Sequence, residues 1–203
     1  SPHKVDTAAA HGEPLGEDEV RATKRAYGWP EDAEFLVPDG VREHFAAGVG
    51  ERGRRLRGEW EAMLERFRGE EPGLADEIVR MQRRELPDDW DAEIPDFAGQ
   101  SEALATRKAS NAVLNAVARR VPWLVVGSAD LTGSTAVGLE GEEAFTPANR
   151  GGRQLHYGIR EHASAAISNG LALAKVRPAW STYLVFSDYA RPAIRLSALM
   201  ELP

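Results

Sequence analysis

Three short stretches of the sequence hold residues whose types and spacing could do chemistry. His156-Tyr157-Gly158-Ile159-Arg160-Glu161-His162 stands directly before the apolar run 163–174. If that run is a helix, Glu161 lies at its N-terminus, beside buried packing. One reading is an acid that complements the positive end of the helix dipole. The other is a carboxyl group held in low-dielectric surroundings for proton work. Gly127-Ser128-Ala129-Asp130-Leu131-Thr132-Gly133-Ser134 follows one short apolar run, and Phe186-Ser187-Asp188-Tyr189-Ala190-Arg191 follows another. Small residues in the first allow close backbone approach, Asp130 can accept hydrogen bonds, and Ser134 can donate to an anion. Alone, either stretch is a weak signal and reads first as a structural turn after a strand.

The elements around these stretches must position them. In open α/β sheets, ligands gather at the carboxyl ends of strands. Residues 101–120 read as a helix with an apolar stripe of Leu104, Ala112, Val113, Ala116 and Val117. Residues 123–126 read as a buried strand, and 132–153 as a Gly- and Ser-rich excursion without periodicity. Residues 160–174 read as a helix and 180–186 as a second strand. A last helix spans 188–199, where Pro192 is tolerable only in the first turn. The order predicts an α/β fold built on an open parallel sheet.

The first half reads differently. Residues 1–16 read as loop. A short helix opens at Glu17-Asp18-Glu19, with acids in its first turn, and Gly28 and Pro30 stop it. From Asp39, a candidate N-cap, Val41, Phe45, Val49, Leu56, Trp60, Leu64 and Phe67 recur on one helical face to about Arg68. Gly48, Gly50 and Gly53 weaken that pattern. A second amphipathic segment covers about 74–86, and the acidic, aperiodic stretch 87–99 reads as an extended linker.

Composition excludes several classes. The 203 residues are 42% hydrophobic and 28% charged, with a net charge of −7. Mean hydropathy is −0.41, and no apolar run approaches the roughly 18 residues of a membrane span. With no cysteine, disulfides, thiolate metal sites and Cys nucleophiles are excluded. The acidic total argues against nucleic acid as a partner. The start, Ser1-Pro2-His3-Lys4, has no apolar secretion signal, so a cytoplasmic location is expected. Charge is unevenly spread, with −10 over residues 1–100 and +3 over residues 101–203.

The motifs together resemble a family. GSADLTGS (127–134), HYGIREH (156–162) and TYLVFSDYARPAIRLSALM (182–200), with ATRKAS (105–110) before them, are similar to the pyrimidine-binding domain of transketolases. HGEPLG (11–16) resembles the histidine-containing loop late in the family's diphosphate-binding domain. The resemblance implies an internal piece of a longer enzyme: residues 1–30 end the diphosphate-binding domain, 31–99 form a helical and extended linker, and 100–203 begin the pyrimidine-binding domain. The sheet would be of the thiamine diphosphate-binding type, present only in part.

The resemblance also implies an activity. Transketolases use thiamine diphosphate and a divalent cation, Mg²⁺ or Ca²⁺, to move a two-carbon ketol unit from a ketose phosphate to an aldose phosphate. Glu161 matches the glutamate that hydrogen-bonds N1′ of the cofactor's aminopyrimidine. Phe186 matches the aromatic residue that stacks on that ring, Tyr183 and Tyr189 its pocket companions, and Asp130 an aspartate near the thiazolium. Arg107 and Ser134 match residues that hold the substrate phosphate, where a guanidinium fork suits the anion. His11 matches a histidine that approaches the diphosphate and substrate from the other domain. The site would be shared between two subunits of a homodimer. The family's Gly-Asp-Gly metal motif finds no match here, so no metal ligand is expected in this segment. Related thiamine enzymes, dihydroxyacetone synthase and phosphoketolase among them, are the alternative, as is a segment that does not bind cofactor alone.

Overall fold

The computed structural model of the chain describes residues 1–99 and 103–203. The expected helix start at Ser101 and the expected boundary at residue 100 lie outside the described residues. The chain divides into two compact units, Ser1–Glu65 and Arg66–Pro203.

In the first unit, the stretch expected as loop contains one helical turn, α1 (Ala9–Gly12), before α2 (Glu17–Ala26). Glu19 of α2 accepts hydrogen bonds from the Ser1 hydroxyl and, at 2.9 Å, from the His3 backbone N–H, and pairs with His3 Nδ1 at 2.6 Å. These bonds, the Ser1 hydroxyl's foremost, bring the Glu19 carboxyl down to about 2. α3 (Val41–Phe45) starts after Gly40, not after Asp39, and no side chain caps it. Gly40 sits at φ 80°, in the left-handed region that favours glycine. The glycines that follow do not break the helix. The backbone widens to a π-helical stretch over Ala46–Gly50 and resumes as α4 (Glu51–Glu70).

In the second unit, α5 (Pro72–Arg83) opens with proline in its first turn, where a missing N–H costs nothing. The stretch 87–99 is not an extended linker. It is folded into turns and fastened to α6 (Thr106–Arg120), which begins after Ala105 in extended backbone. Arg119 donates to Glu93 at 2.7 Å, and Arg120 pairs with Asp89 at 2.8 Å and Glu93 at 2.7 Å. Leu86 and Trp90 pack against the core around Val121, Leu124 and Val126. Leu104, expected on the α6 stripe, lies before the helix and is exposed.

The sheet follows. β1 (Leu124–Ser128) is succeeded by the single turn α7 (Thr132–Thr135), β2 (Gln154–His156), α8 (Glu161–Leu173), β3 (Arg177–Ser181) and α9 (Ser187–Leu199). The three strands are parallel, in the order β2-β1-β3. β2 has no expectation behind it, because it is only three residues long and becomes a strand by pairing with β1 and bridging to Ala144. β3 lies earlier than expected, and 184–186 form a 3₁₀ turn, not strand. Leu184 and Val185, apolar but exposed, explain the mistaken reading. Pro192 sits in the second turn of α9, not the first. Its ring leaves the α9 backbone without one i→i−4 bond.

The excursion between α7 and β2 is ordered by remote side chains. Asn115 donates to the Gly138 carbonyl at 3.2 Å and accepts from the Glu140 N–H at 2.7 Å. Arg153 donates to the Ala118 and Val121 carbonyls and pairs with Glu142 at 2.5 Å. α8 and α9 meet through Ala165, Ala190 and Ala193, small enough for close approach, and Asn169 donates to the Ala193 carbonyl at 2.9 Å. No helix among the described residues is long and apolar enough to cross a membrane.

Candidate active site

The three strands end level. Ser128 at the end of β1 lies opposite His156 of β2 and Ser181 of β3. Three segments leave that edge: Ala129–Leu131 after β1, Tyr157–Arg160 after β2, and Thr182–Phe186 after β3. They enclose a cavity of about 610 Å³ lined by Ala129, Asp130, Leu131, Ile159, Glu161, Phe186 and Tyr189. Four expected site residues, Asp130, Glu161, Phe186 and Tyr189, are thus brought together from three sequence-distant motifs.

Glu161 is the first residue of α8 and only 7% exposed. Its side-chain partner among the described residues is Thr182, whose hydroxyl donates to Oε1 at a long 3.4 Å. A buried carboxyl with so little internal satisfaction is set to bond a ligand.

Asp130 occupies the left-handed region at φ 64°. The turn is held by Ser128, whose Oγ accepts the Leu131 N–H at 2.9 Å and lies 3.0 Å from the Thr132 hydroxyl. Aspartate tolerates this backbone better than most residues. Asp130 also lines a second, more polar cavity of about 600 Å³ with Ser128, Thr132, Gly133, His156, Gly158 and Arg160.

The aromatic wall comes from the 3₁₀ turn and the start of α9. Phe186 and Tyr189 stack with ring centres 6.2 Å apart and planes at 25°. Tyr183 stands beside Phe186 at 6.1 Å, tilted by 41°, but does not line the cavity. Arg107, on the first turn of α6, and Ser134, on α7 next to Gly133, are exposed and outside the cavity lining. His11 is exposed on α1, in the first unit. Sequence reasoning did not single out Thr182, Ile159 or Leu131. The last two lie inside the quoted motifs, and Thr182 opens the third.

The chemistry of this lining suits a flat heteroaromatic ring. A carboxyl can bond its edge while an aromatic face stacks on it. Among the described residues, no group of three or more His, Asp or Glu is placed to hold a metal ion.

Comparison with known proteins agrees. The family description "Transketolase, pyrimidine binding domain" matches residues 102–203, and "Transketolase, thiamine diphosphate binding domain" matches residues 1–87. A transketolase of Bacillus subtilis is 42% identical over 204 residues, covering all of this chain and 30% of the relative. One from Geobacillus stearothermophilus is 43% identical with the same coverage. Among solved structures, a Pichia stipitis transketolase in complex with sedoheptulose-7-phosphate aligns with TM-score 0.82 and 35% identity, covering 94% of this chain and 29% of that one. A Leishmania mexicana transketolase gives 0.80 and 33%, covering 93% and 28%. The chain spans about 30% of the length of the relatives it matches.

Proposed function

The chain belongs to the transketolase family, and from that membership we propose that it supplies the pyrimidine-side wall of a thiamine diphosphate site. The complete enzyme would transfer a two-carbon ketol unit from a ketose phosphate to an aldose phosphate. The observation that carries this reading is the convergence at the strand ends: buried Glu161 opens into the same cavity as the stacked Phe186 and Tyr189.

Thiamine diphosphate supplies the nucleophilic carbon and the electron sink for breaking and making the carbon–carbon bond. The lining fits its aminopyrimidine. Glu161 would hold the ring through a hydrogen bond at N1′ and so govern the proton at that nitrogen. Phe186 and Tyr189 would stack on the ring face. Asp130, which lines the same cavity, would lie toward the thiazolium. Arg107 has no ion pair among the described residues, and with Ser134 it serves the substrate phosphate. From its motif alone, His11 is assigned to the diphosphate and substrate. A divalent cation, Mg²⁺ or Ca²⁺, is held by ligands outside this segment.

Leu184 and Tyr189, 88% and 66% exposed, leave one side of the aromatic wall uncovered. That exposure supports a site completed by another part of the protein, and we read it as the second subunit of a homodimer. The sugar phosphate bound to the Pichia stipitis relative supports sugar phosphates as substrates. The two family matches, ending at 87 and resuming at 102, support a pyrimidine-binding part that begins near residue 100.

The test is Glu161→Gln and Glu161→Ala in the complete enzyme. Both are expected to lose turnover by about 10²-fold or more, with an unchanged melting transition. Near-normal turnover in both would contradict the assignment. A donor and acceptor panel that includes formaldehyde separates transketolase from dihydroxyacetone synthase activity.

A further inference from the structure

The turn that delivers Glu161 is built on a buried ring that the cavity itself does not use. Tyr157 follows β2 and is 8% exposed. Its ring lies against Gly127 of the central strand. A Cβ at Gly127 would stand 2.5 Å from Tyr157 Cε2 and 2.5 Å from the Leu155 carbonyl oxygen. Glycine is needed there for space, since its φ is not in the left-handed region. The far end of the tyrosine gains nothing comparable. Tyr157 Oη and Ser168 Oγ of α8 are both buried without a hydrogen-bond partner among the described residues. Burial pushes the Tyr157 phenol up.

Beyond the ring the chain is fastened twice more. Gly158 takes φ +66°, and a Cβ there would collide with the Arg160 guanidinium. Arg160 Nη1 folds back to donate to the Tyr157 carbonyl at 3.0 Å. Ser164 then donates from its backbone N–H at 2.8 Å and its hydroxyl at 2.7 Å to the Arg160 carbonyl. Glu161 is the next residue, so its direction into the cavity depends on this sequence of contacts.

We propose that the Tyr157 ring, seated on Gly127, is a positioning residue that aims the Glu161 carboxyl into the cavity. Its hydroxyl is dispensable for that role. The inference rests on the reading of Glu161 given above. A side chain at 157 that fills the same slot keeps the turn in place. One that leaves the slot partly empty lets Tyr157–Arg160 shift, and displacement of a reacting group by about 1 Å costs up to about 10²-fold in rate.

The complete enzyme tests this with Tyr157→Phe, Tyr157→Leu and Gly158→Ala, beside Glu161→Gln. Each is measured for kcat, for half-saturation by thiamine diphosphate, for the pH profile of kcat and for melting temperature. Tyr157→Phe is expected to keep the wild-type profile and stay within about twofold in kcat, as an isosteric ring should. Tyr157→Leu and Gly158→Ala are expected to lower kcat by about tenfold or more and to displace the pH profile. A Tyr157→Phe enzyme as impaired as Tyr157→Leu would overturn the proposal, because the hydroxyl would then be the acting group. A Gly158→Ala enzyme with wild-type kcat and profile would also overturn it, and decides the matter if Tyr157→Leu does not fold. Wild-type turnover in Glu161→Gln would instead remove the underlying reading of Glu161, whatever the Tyr157 variants do.

Discussion

Asp130 is the residue at which backbone and chemistry meet most tightly. It holds a left-handed φ of 64° between β1 and α7 and borders both cavities. Replacing it with glycine removes the carboxyl but relieves the backbone. Replacing it with valine removes the carboxyl and adds a branched side chain to a disfavoured conformation. Asp130→Gly is therefore expected to be at least as stable as the parent, and Asp130→Val less stable by about 1–2 kcal/mol. Chemical denaturation of both measures the difference, and equal stability would show that the turn relaxes. At this scale much of the site was legible. Glu161 could be found because it precedes an apolar helical run, and Phe186 and Tyr189 because they share a motif. Thr182 was not legible, because its one bond to Glu161 joins residues 21 apart in sequence.

The elements show why only part of the fold could be read. α2 announces itself by the acids in its first turn, and α8 by its Ala-rich apolar run. β2 does not, since Gln154-Leu155-His156 becomes a strand by lying beside Val126–Ser128 and Ala144. The excursion 132–153 has no local pattern because its order comes from Asn115 and Gln154 reaching its carbonyls, and from its own Arg153 reaching those of Ala118 and Val121. The Glu142–Arg153 pair is the fastener of that segment. The Arg153 hydrogen bond holds the Glu142 carboxyl below its ordinary value of 4.5, against the opposing effect of burial. A carboxyl lowered on folding contributes stability that is present above 4.5 and is lost as the pH falls below that value. Arg153→Met, which also leaves the Ala118 and Val121 carbonyls unbonded, is expected to destabilise the second unit by about 1.5–3 kcal/mol at neutral pH. Glu142→Gln is expected to flatten the acid side of the stability–pH curve. Denaturant titrations from pH 7 to pH 3 check both, and an unchanged slope would mean that the pair is idle.

For the whole molecule, the uneven charge acquires a physical setting. The net +3 of residues 101–203 belongs to the sequence that forms the sheet and its cavity, where a phosphorylated cofactor and substrate would approach. The net −10 lies over residues 1–100, which include the long helix and the turns that ion pairs fasten to α6. The absence of cysteine fits a site built on a carboxyl and an aromatic wall. Both family descriptions fall on this chain, and it spans about 30% of its relatives. The central claim is that the strand ends around Glu161 receive the aminopyrimidine ring. A crystal structure of the complete enzyme with thiamine diphosphate bound tests it most directly. The expected result places N1′ within about 3.2 Å of a Glu161 carboxyl oxygen, with the ring packed on Phe186. A ring bound elsewhere, or N1′ facing a different residue, would contradict it.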